Sequence, residues 1–79
     1  MADTRSYLLV ETSVGKTRDV VSRLRTVEGI SYVDMVTGPY DIVAVLETKD
    51  LNEVGNLVTE YVHVIPGILR TITCLAVSV

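Results

Sequence analysis

Ile30-Ser31-Tyr32-Val33-Asp34-Met35-Val36-Thr37, then Gly38-Pro39-Tyr40, then Asp41-Ile42-Val43-Ala44-Val45-Leu46-Glu47-Thr48, is the stretch whose reading decides the fold. Ile30, Tyr32, Asp34 and Val36 alternate with Ser31, Val33, Met35 and Thr37, the period of a strand. Gly38-Pro39 breaks that period, and an apolar, β-branched run resumes from Asp41 to Thr48. Two strands joined by a short Gly-Pro loop read as an antiparallel hairpin.

On each side of the hairpin lies one helix and one further strand. Upstream, Val20, Val21, Leu24 and Val27 recur at helical spacing from Lys16 onward, and Glu28-Gly29 stops the helix. Ser6 to Thr12 before it is short, apolar and β-prone. Downstream, Asp50-Leu51-Asn52-Glu53 fits a capping box, and Leu51, Val54, Leu57, Val58, Tyr61 and Val62 form an apolar stripe. Gly55 inside that helix costs about 1 kcal/mol against alanine, which suggests that a neighbour approaches closely there. Pro66-Gly67 ends the segment, and Ile68 to Val79 reads as the last strand. The order β-α-β-β-α-β predicts one α+β domain over residues 1–79. It is a ferredoxin-like four-stranded antiparallel sheet with both helices on one face.

Two helices cover only one face of such a sheet, and a wet second face shows alternating polar residues. Here Leu8 and Val10 back onto Tyr7 and Leu9, and Ile42, Ala44 and Leu46 onto Val43 and Val45. In the last strand Ile68, Ile72, Cys74 and Ala76 oppose Leu69, Leu75, Val77 and Val79. With 48% apolar residues in 79, the helix-free face calls for a cover. The simplest is a second copy about a two-fold axis, giving a homodimer of the dimeric α-β barrel type.

Composition narrows the function. The chain has no Trp or Phe, a net charge of −3 and only seven Lys and Arg. Lys16, Arg18, Arg23 and Arg25 cluster, but Asp19 and Glu28 lie among them, as on a solvated helix face. The basic footprint of direct nucleic-acid binding is missing. One cysteine makes no internal disulfide. No apolar run reaches the ~18 residues of a membrane helix, and the polar start Met-Ala-Asp-Thr-Arg lacks a signal-peptide core. These features predict a cytoplasmic protein without membrane contact.

Few residues carry chemistry. Gly15-Lys16-Thr17 resembles the end of a phosphate loop, but Val10 stands where its first glycine belongs. His63 has no ligand cluster around it, so neither metal nor cofactor is expected. Cys74, in an apolar strand, reads as a buried inert thiol rather than a partner for His63. The turn Thr37-Gly38-Pro39-Tyr40-Asp41 offers more. As a plain hairpin loop it is adequate. It also holds what a small zwitterion needs: open backbone N–H groups at glycine, the Asp41 carboxylate for an ammonium, and the Tyr40 ring as a wall. Thr71 and Thr73, two apart, leave one face of the last strand together with Leu69, Leu75 and Val77. They are either β-branched filler or orienting donors.

Val36-Thr37-Gly38-Pro39-Tyr40-Asp41-Ile42-Val43 resembles the Gly-x-x-Asp turn of the effector (RAM) domain of the Lrp/AsnC family. Ile65-Pro66-Gly67-Ile68 with Arg70-Thr71-Ile72-Thr73 resembles that family's Pro-Gly-Val and Thr-x-Thr ending, and Val27-Glu28-Gly29-Ile30 fits as well. The resemblance runs from about residue 6 to residue 79. It implies dimers joined through their sheets and assembled into larger rings. It also implies an amino-acid effector bound near the turn, with Thr37, Gly38, Pro39, Tyr40 and Asp41, and more weakly Thr71 and Thr73, as candidates. Regulators of that family carry a helix-turn-helix domain before this one. Here about five residues precede the first strand, which points to a stand-alone effector domain that is not an enzyme. It would act through hetero-assembly with full-length relatives or on another target. The alternatives are an ACT-like domain with its ligand turn near Gly15, a small barrel enzyme of isomerase or monooxygenase type using Asp34, and an adaptor without ligand.

Overall fold

The structure, a computed structural model, describes residues 4–77. Its elements are β1 (Thr4–Thr12), α1 (Thr17–Leu24), β2 (Ile30–Met35), β3 (Ile42–Thr48), α2 (Leu51–Leu57) and β4 (Ile68–Leu75). The sheet order is β2-β3-β1-β4, and every neighbouring pair is antiparallel. This is the ferredoxin-like α+β arrangement that the hairpin and its flanks predict.

Burial along β3 alternates at every residue, with Ile42, Ala44, Leu46 and Thr48 inward. Leu8 and Val10 of β1 join them, and Val20, Val21, Leu24, Val54, Leu57, Val58 and Val62 close the core from the helix side. Asp50 caps α2, its side chain accepting the Glu53 N–H at 2.9 Å. That bond satisfies one of the free donors at the helix start.

Local geometry shifts several expected boundaries and faces. α1 ends at Leu24, where Thr26 and Val27 turn their N–H groups back to Arg23 and Leu24, yet Val27 still packs on the core. β2 ends at Met35 and β3 begins at Ile42. Strict alternation fails in β2 because the register shifts between Ile30 and Tyr32. The extra residue of a bulge reverses the phase, so Ile30 opposite Leu46, Val33 opposite Ala44 and Met35 opposite Ile42 share the helix side.

A second shift, between Glu11 and Thr12, sets Ile68 opposite Thr12. Ile68 therefore packs on the helix-side core rather than beside Ile72. β4 ends at Leu75, and the expected extension to Val79 reaches outside the described residues.

After Leu57 the second helix widens into a π-helical turn over Val58–Val62, closed by the His63 N–H on the Val58 carbonyl at 2.9 Å. The wider turn carries Val62 inward and leaves Tyr61 57% exposed. Leu51, in the first turn, is 60% exposed, so Leu51 and Tyr61 of the expected stripe lie outside the core while Val54, Leu57, Val58 and Val62 are in it. Gly55 faces open space, with nothing within 4 Å of where a Cβ would stand. The close neighbour expected there belongs instead to Gly67, whose Cβ would meet the Lys16 Cβ at 2.8 Å.

The other sheet face carries Tyr7, Leu9, Val43, Val45, Ile72 and Cys74 in mutual register. It is apolar and no element of this chain covers it among the described residues. Cys74 is consequently exposed, not buried, because it lies on an edge strand and on the uncovered side.

Candidate functional site

The hairpin turn is held at both ends. The Val36 N–H donates to the Asp41 carbonyl at 2.9 Å, and the Asp41 N–H to the Val10 carbonyl at 2.9 Å. Between these ties Thr37, Gly38 and Pro39 are exposed, and Tyr40 and Asp41 half-buried. Gly38 has φ +138° with nothing near its Cβ position, so the backbone conformation, not crowding, demands glycine. Among the described residues, no backbone carbonyl accepts the N–H of Thr37, Gly38 or Tyr40. Those donors are open to an anion or to water.

The Asp41 carboxylate has a partner within the chain. Its Oδ2 accepts the Thr12 N–H at 2.8 Å, with the Thr12 hydroxyl at 3.3 Å and the Thr17 hydroxyl 2.7 Å beyond. The aspartate thus fastens the turn to the end of β1 and the start of α1. It sits where the β1 ladder shifts register and the Thr12 N–H needs an acceptor.

Tyr40 meets a residue that its own segment does not reveal, and that residue holds a second. The Arg70 guanidinium lies 5.6 Å from the Tyr40 ring centroid, and its Nη2 reaches the hydroxyl at 3.5 Å. Arg70 Nε also stands 3.5 Å from Glu11 Oε1, and the two residues are register partners across β1 and β4. Glu11 and Arg70 interrupt the apolar run of β1 and β4 two positions from Leu9 and Ile72. That interruption was the available signal for them. It is weak, because a charge near a strand end is ordinary on its own.

Thr71 and Thr73 do share a face, opposite Val10 and Leu8, on the other side of β4 from Arg70. The structure does not gather them with Tyr40. The Thr71 hydroxyl lies 3.1 Å from His63 Nε2. Thr73 lines a groove of about 430 Å3 with Leu51, Val54, Gly55, Val58 and Leu75. Three further grooves lie along the helices, and none of these four includes a residue of the turn.

At the far end of the open face, Arg5 pairs with Glu47 at 3.0 Å and Ser31 donates to the same carboxylate at 3.0 Å. The hydrogen bonds from Ser31 and Arg5 hold Glu47 below the usual carboxylate range, and the bond to Glu47 raises Arg5. The open face thus has an apolar centre on β1, β3 and β4 with one ion pair at each end, and the exposed Asp34 lies on the same face on edge strand β2, opposite Val43. Among the described residues no group of three His, Cys, Asp or Glu side chains is placed to hold a metal. No described helix is long and apolar enough to cross a membrane.

Known proteins resemble this chain in sequence and fold. The Lrp/AsnC ligand binding domain matches residues 5–79. An uncharacterised HTH-type transcriptional regulator of Pyrococcus abyssi is 28% identical over 74 residues, which make up 94% of this chain and 47% of that protein. The chain therefore spans about half the length of that curated relative. A crystal structure from Thermus thermophilus is 28% identical with a TM-score of 0.91, covering 96% of this chain and 95% of that one. A Neisseria meningitidis transcriptional regulator, solved as its L-Met complex, shares the fold at 13% identity. Its TM-score is 0.88, over 98% of this chain and 51% of that one. With the match running across nearly its whole length and the fold in agreement, the chain belongs to the Lrp/AsnC ligand-binding domain family.

Proposed function

We propose that this domain binds an α-amino acid at the Thr37–Asp41 turn, without catalysis, as a half-site in an assembly of homodimers in the cytoplasm. The observation that carries the reading is the turn itself. Three backbone donors without a backbone acceptor stand beside a half-buried tyrosine, on a loop pinned at both ends. The family is one of ligand-binding domains, and the Neisseria relative holds L-Met, which supports an amino acid as the class. Thr71 and Thr73 face away from Tyr40, so we assign them to the half-site that a neighbouring subunit completes. Partnership with full-length regulators of the family belongs to the same proposal.

The helix-free face supplies the dimer contact. Tyr7, Leu9, Val43, Val45, Ile72 and Cys74 make one continuous apolar surface, of a kind that soluble monomers rarely leave uncovered. Sedimentation is expected to give a dimer or larger at micromolar concentration, and the Cys74 thiol to react slowly with a thiol reagent. Val45→Lys is expected to yield monomer and fast labelling. A stable wild-type monomer with a freely reactive Cys74 would sink the dimer.

Ligand binding is tested by thermal shift across the twenty common amino acids. A ligand of the native state at 100 times its Kd stabilises by about 2.7 kcal/mol. At least one amino acid is expected to raise the melting temperature in the wild type and not in Gly38→Val. Silence across the panel at millimolar concentration overturns the reading and leaves an adaptor.

A further inference from the structure

The turn donates hydrogen bonds through its backbone, but an amino acid also presents a full negative and a full positive charge. Each must be matched where water is displaced. Asp41 is the acid nearest in sequence, but its Oδ2 accepts from Thr12 at 2.8 Å, which fixes its carboxylate toward the end of β1. Arg70, beside the Tyr40 ring, and Glu11, which it contacts, carry charges on side chains 60% and 41% exposed. We propose that Arg70 takes the carboxylate and Glu11 the ammonium of the bound α-amino acid, over the Tyr40 ring. This assignment rests on the turn being the ligand site, as proposed above.

Three features of the cluster support it. First, the two charges come from different strands and converge on the turn: Glu11 from the end of β1, Arg70 from the start of β4, Tyr40 from the hairpin. The β1–β4 register shift directly after Glu11 lies at this convergence, and bulges of this kind re-aim side chains.

Second, the Glu11–Arg70 contact is a placeholder rather than a lock. It is a single Nε–Oε1 approach of 3.5 Å, with the side chains 41% and 60% exposed. Tight guanidinium–carboxylate pairs are shorter and commonly two-pronged, and an exposed pair contributes little to stability. A zwitterion inserted between the two replaces one loose opposite-charge contact with two.

Third, Arg70 is already oriented. Its guanidinium stands 5.6 Å from the Tyr40 centroid, which limits its rotamers and leaves much of its fork of donors outward. The open N–H groups of Gly38 and Tyr40 lie on the same loop as that ring and suit the same carboxylate.

The test uses the amino acid that gives the largest thermal shift with the wild-type protein, and the amide of that amino acid, which lacks the carboxylate. Both are titrated by calorimetry into wild type, Arg70→Gln and Glu11→Gln. Circular dichroism confirms that each variant is folded, as expected for exposed positions. Each variant is expected to bind the free amino acid at least about tenfold more weakly, the equivalent of about 1.4 kcal/mol. Arg70→Gln is expected to bind the amide as the wild type does, because the contact it lost is one the amide never makes.

The assignment is overturned if either variant keeps the wild-type affinity within about twofold. It is equally overturned if Arg70→Gln loses as much affinity for the amide as for the acid, the mark of general loosening. A wild type that binds no amino acid at all is a different result, and removes the turn as a site.

Discussion

Removing the Asp41 side chain isolates the contact that shapes the turn. In Asp41→Ala the Thr12 N–H loses its acceptor at 2.8 Å, while Thr12 stays only 8% exposed. A hydrogen bond to a charged group contributes about 1.5–3 kcal/mol, most of it felt as the penalty of a donor left unpaired. The Thr12 hydroxyl contact at 3.3 Å is long for an O–H···O bond and adds little. Because Asp41 is half-buried, water partly replaces it, and the lower part of that range applies, about 2 kcal/mol. Asp41→Asn keeps an acceptor oxygen without the charge and is expected to cost about half as much, ~1 kcal/mol. For a domain of this size each kcal/mol lowers Tm by about 4–8 °C. The assay is urea denaturation followed by far-ultraviolet circular dichroism, since the chain has no tryptophan. All variants are compared at one protein concentration, because an assembling protein gains stability with concentration. An Asp41→Ala midpoint indistinguishable from wild type, or an Asn variant as weak as the Ala variant, would refute this account of the turn.

Four more outcomes follow from the packing. Asp50→Ala removes the cap on the Glu53 N–H and is expected to cost about 1 kcal/mol by the same denaturation assay. Gly55→Ala fills open space on a helix and is expected to stabilise by about 1 kcal/mol, with a loss instead marking a neighbouring subunit packed on that groove. Gly67→Ala combines φ +98° with a 2.8 Å approach to the Lys16 Cβ and is expected to cost about 2 kcal/mol or more. Glu47 is held below the usual carboxylate range, so its contribution is complete above the ordinary carboxylate titration and fades as pH falls through its folded value. Carboxyl-carbon NMR is expected to show its midpoint below that of a model glutamate, and Ser31→Ala to move it upward.

The fold was legible because its signals are local. The hairpin shows in the period-two runs around Gly38-Pro39, and the Asp50 cap in the four residues that form it. What local signals miss is phase after a bulge. Nothing in Ile30-Ser31-Tyr32 announces that Ile30 and Val33 share a face; the partner strand sets that register. The same blindness placed Ile68 beside Ile72, and it put Cys74 indoors because an apolar strand does not say which of its faces has a cover.

The candidate site divides along the same line. Its backbone part, the five residues Thr37 to Asp41, is contiguous, and so the sequence alone marks it. The sequence likewise determines the two-sided apolar sheet and hence the demand for a partner, because face follows from alternation. Only the tertiary structure brings Arg70 to Tyr40 and Glu11 to Arg70. Glu11 and Arg70 are 59 positions apart in the chain and meet because β1 and β4 are neighbours in the sheet. It also decides that Asp41 answers to Thr12, since a buried N–H freed by a register shift takes the nearest strong acceptor. That Thr71 and Thr73 lie on the opposite face from Arg70 is by contrast legible in the sequence, because neighbouring side chains in a strand point to opposite faces; the structure adds that theirs is the helix side, opposite Val10 and Leu8.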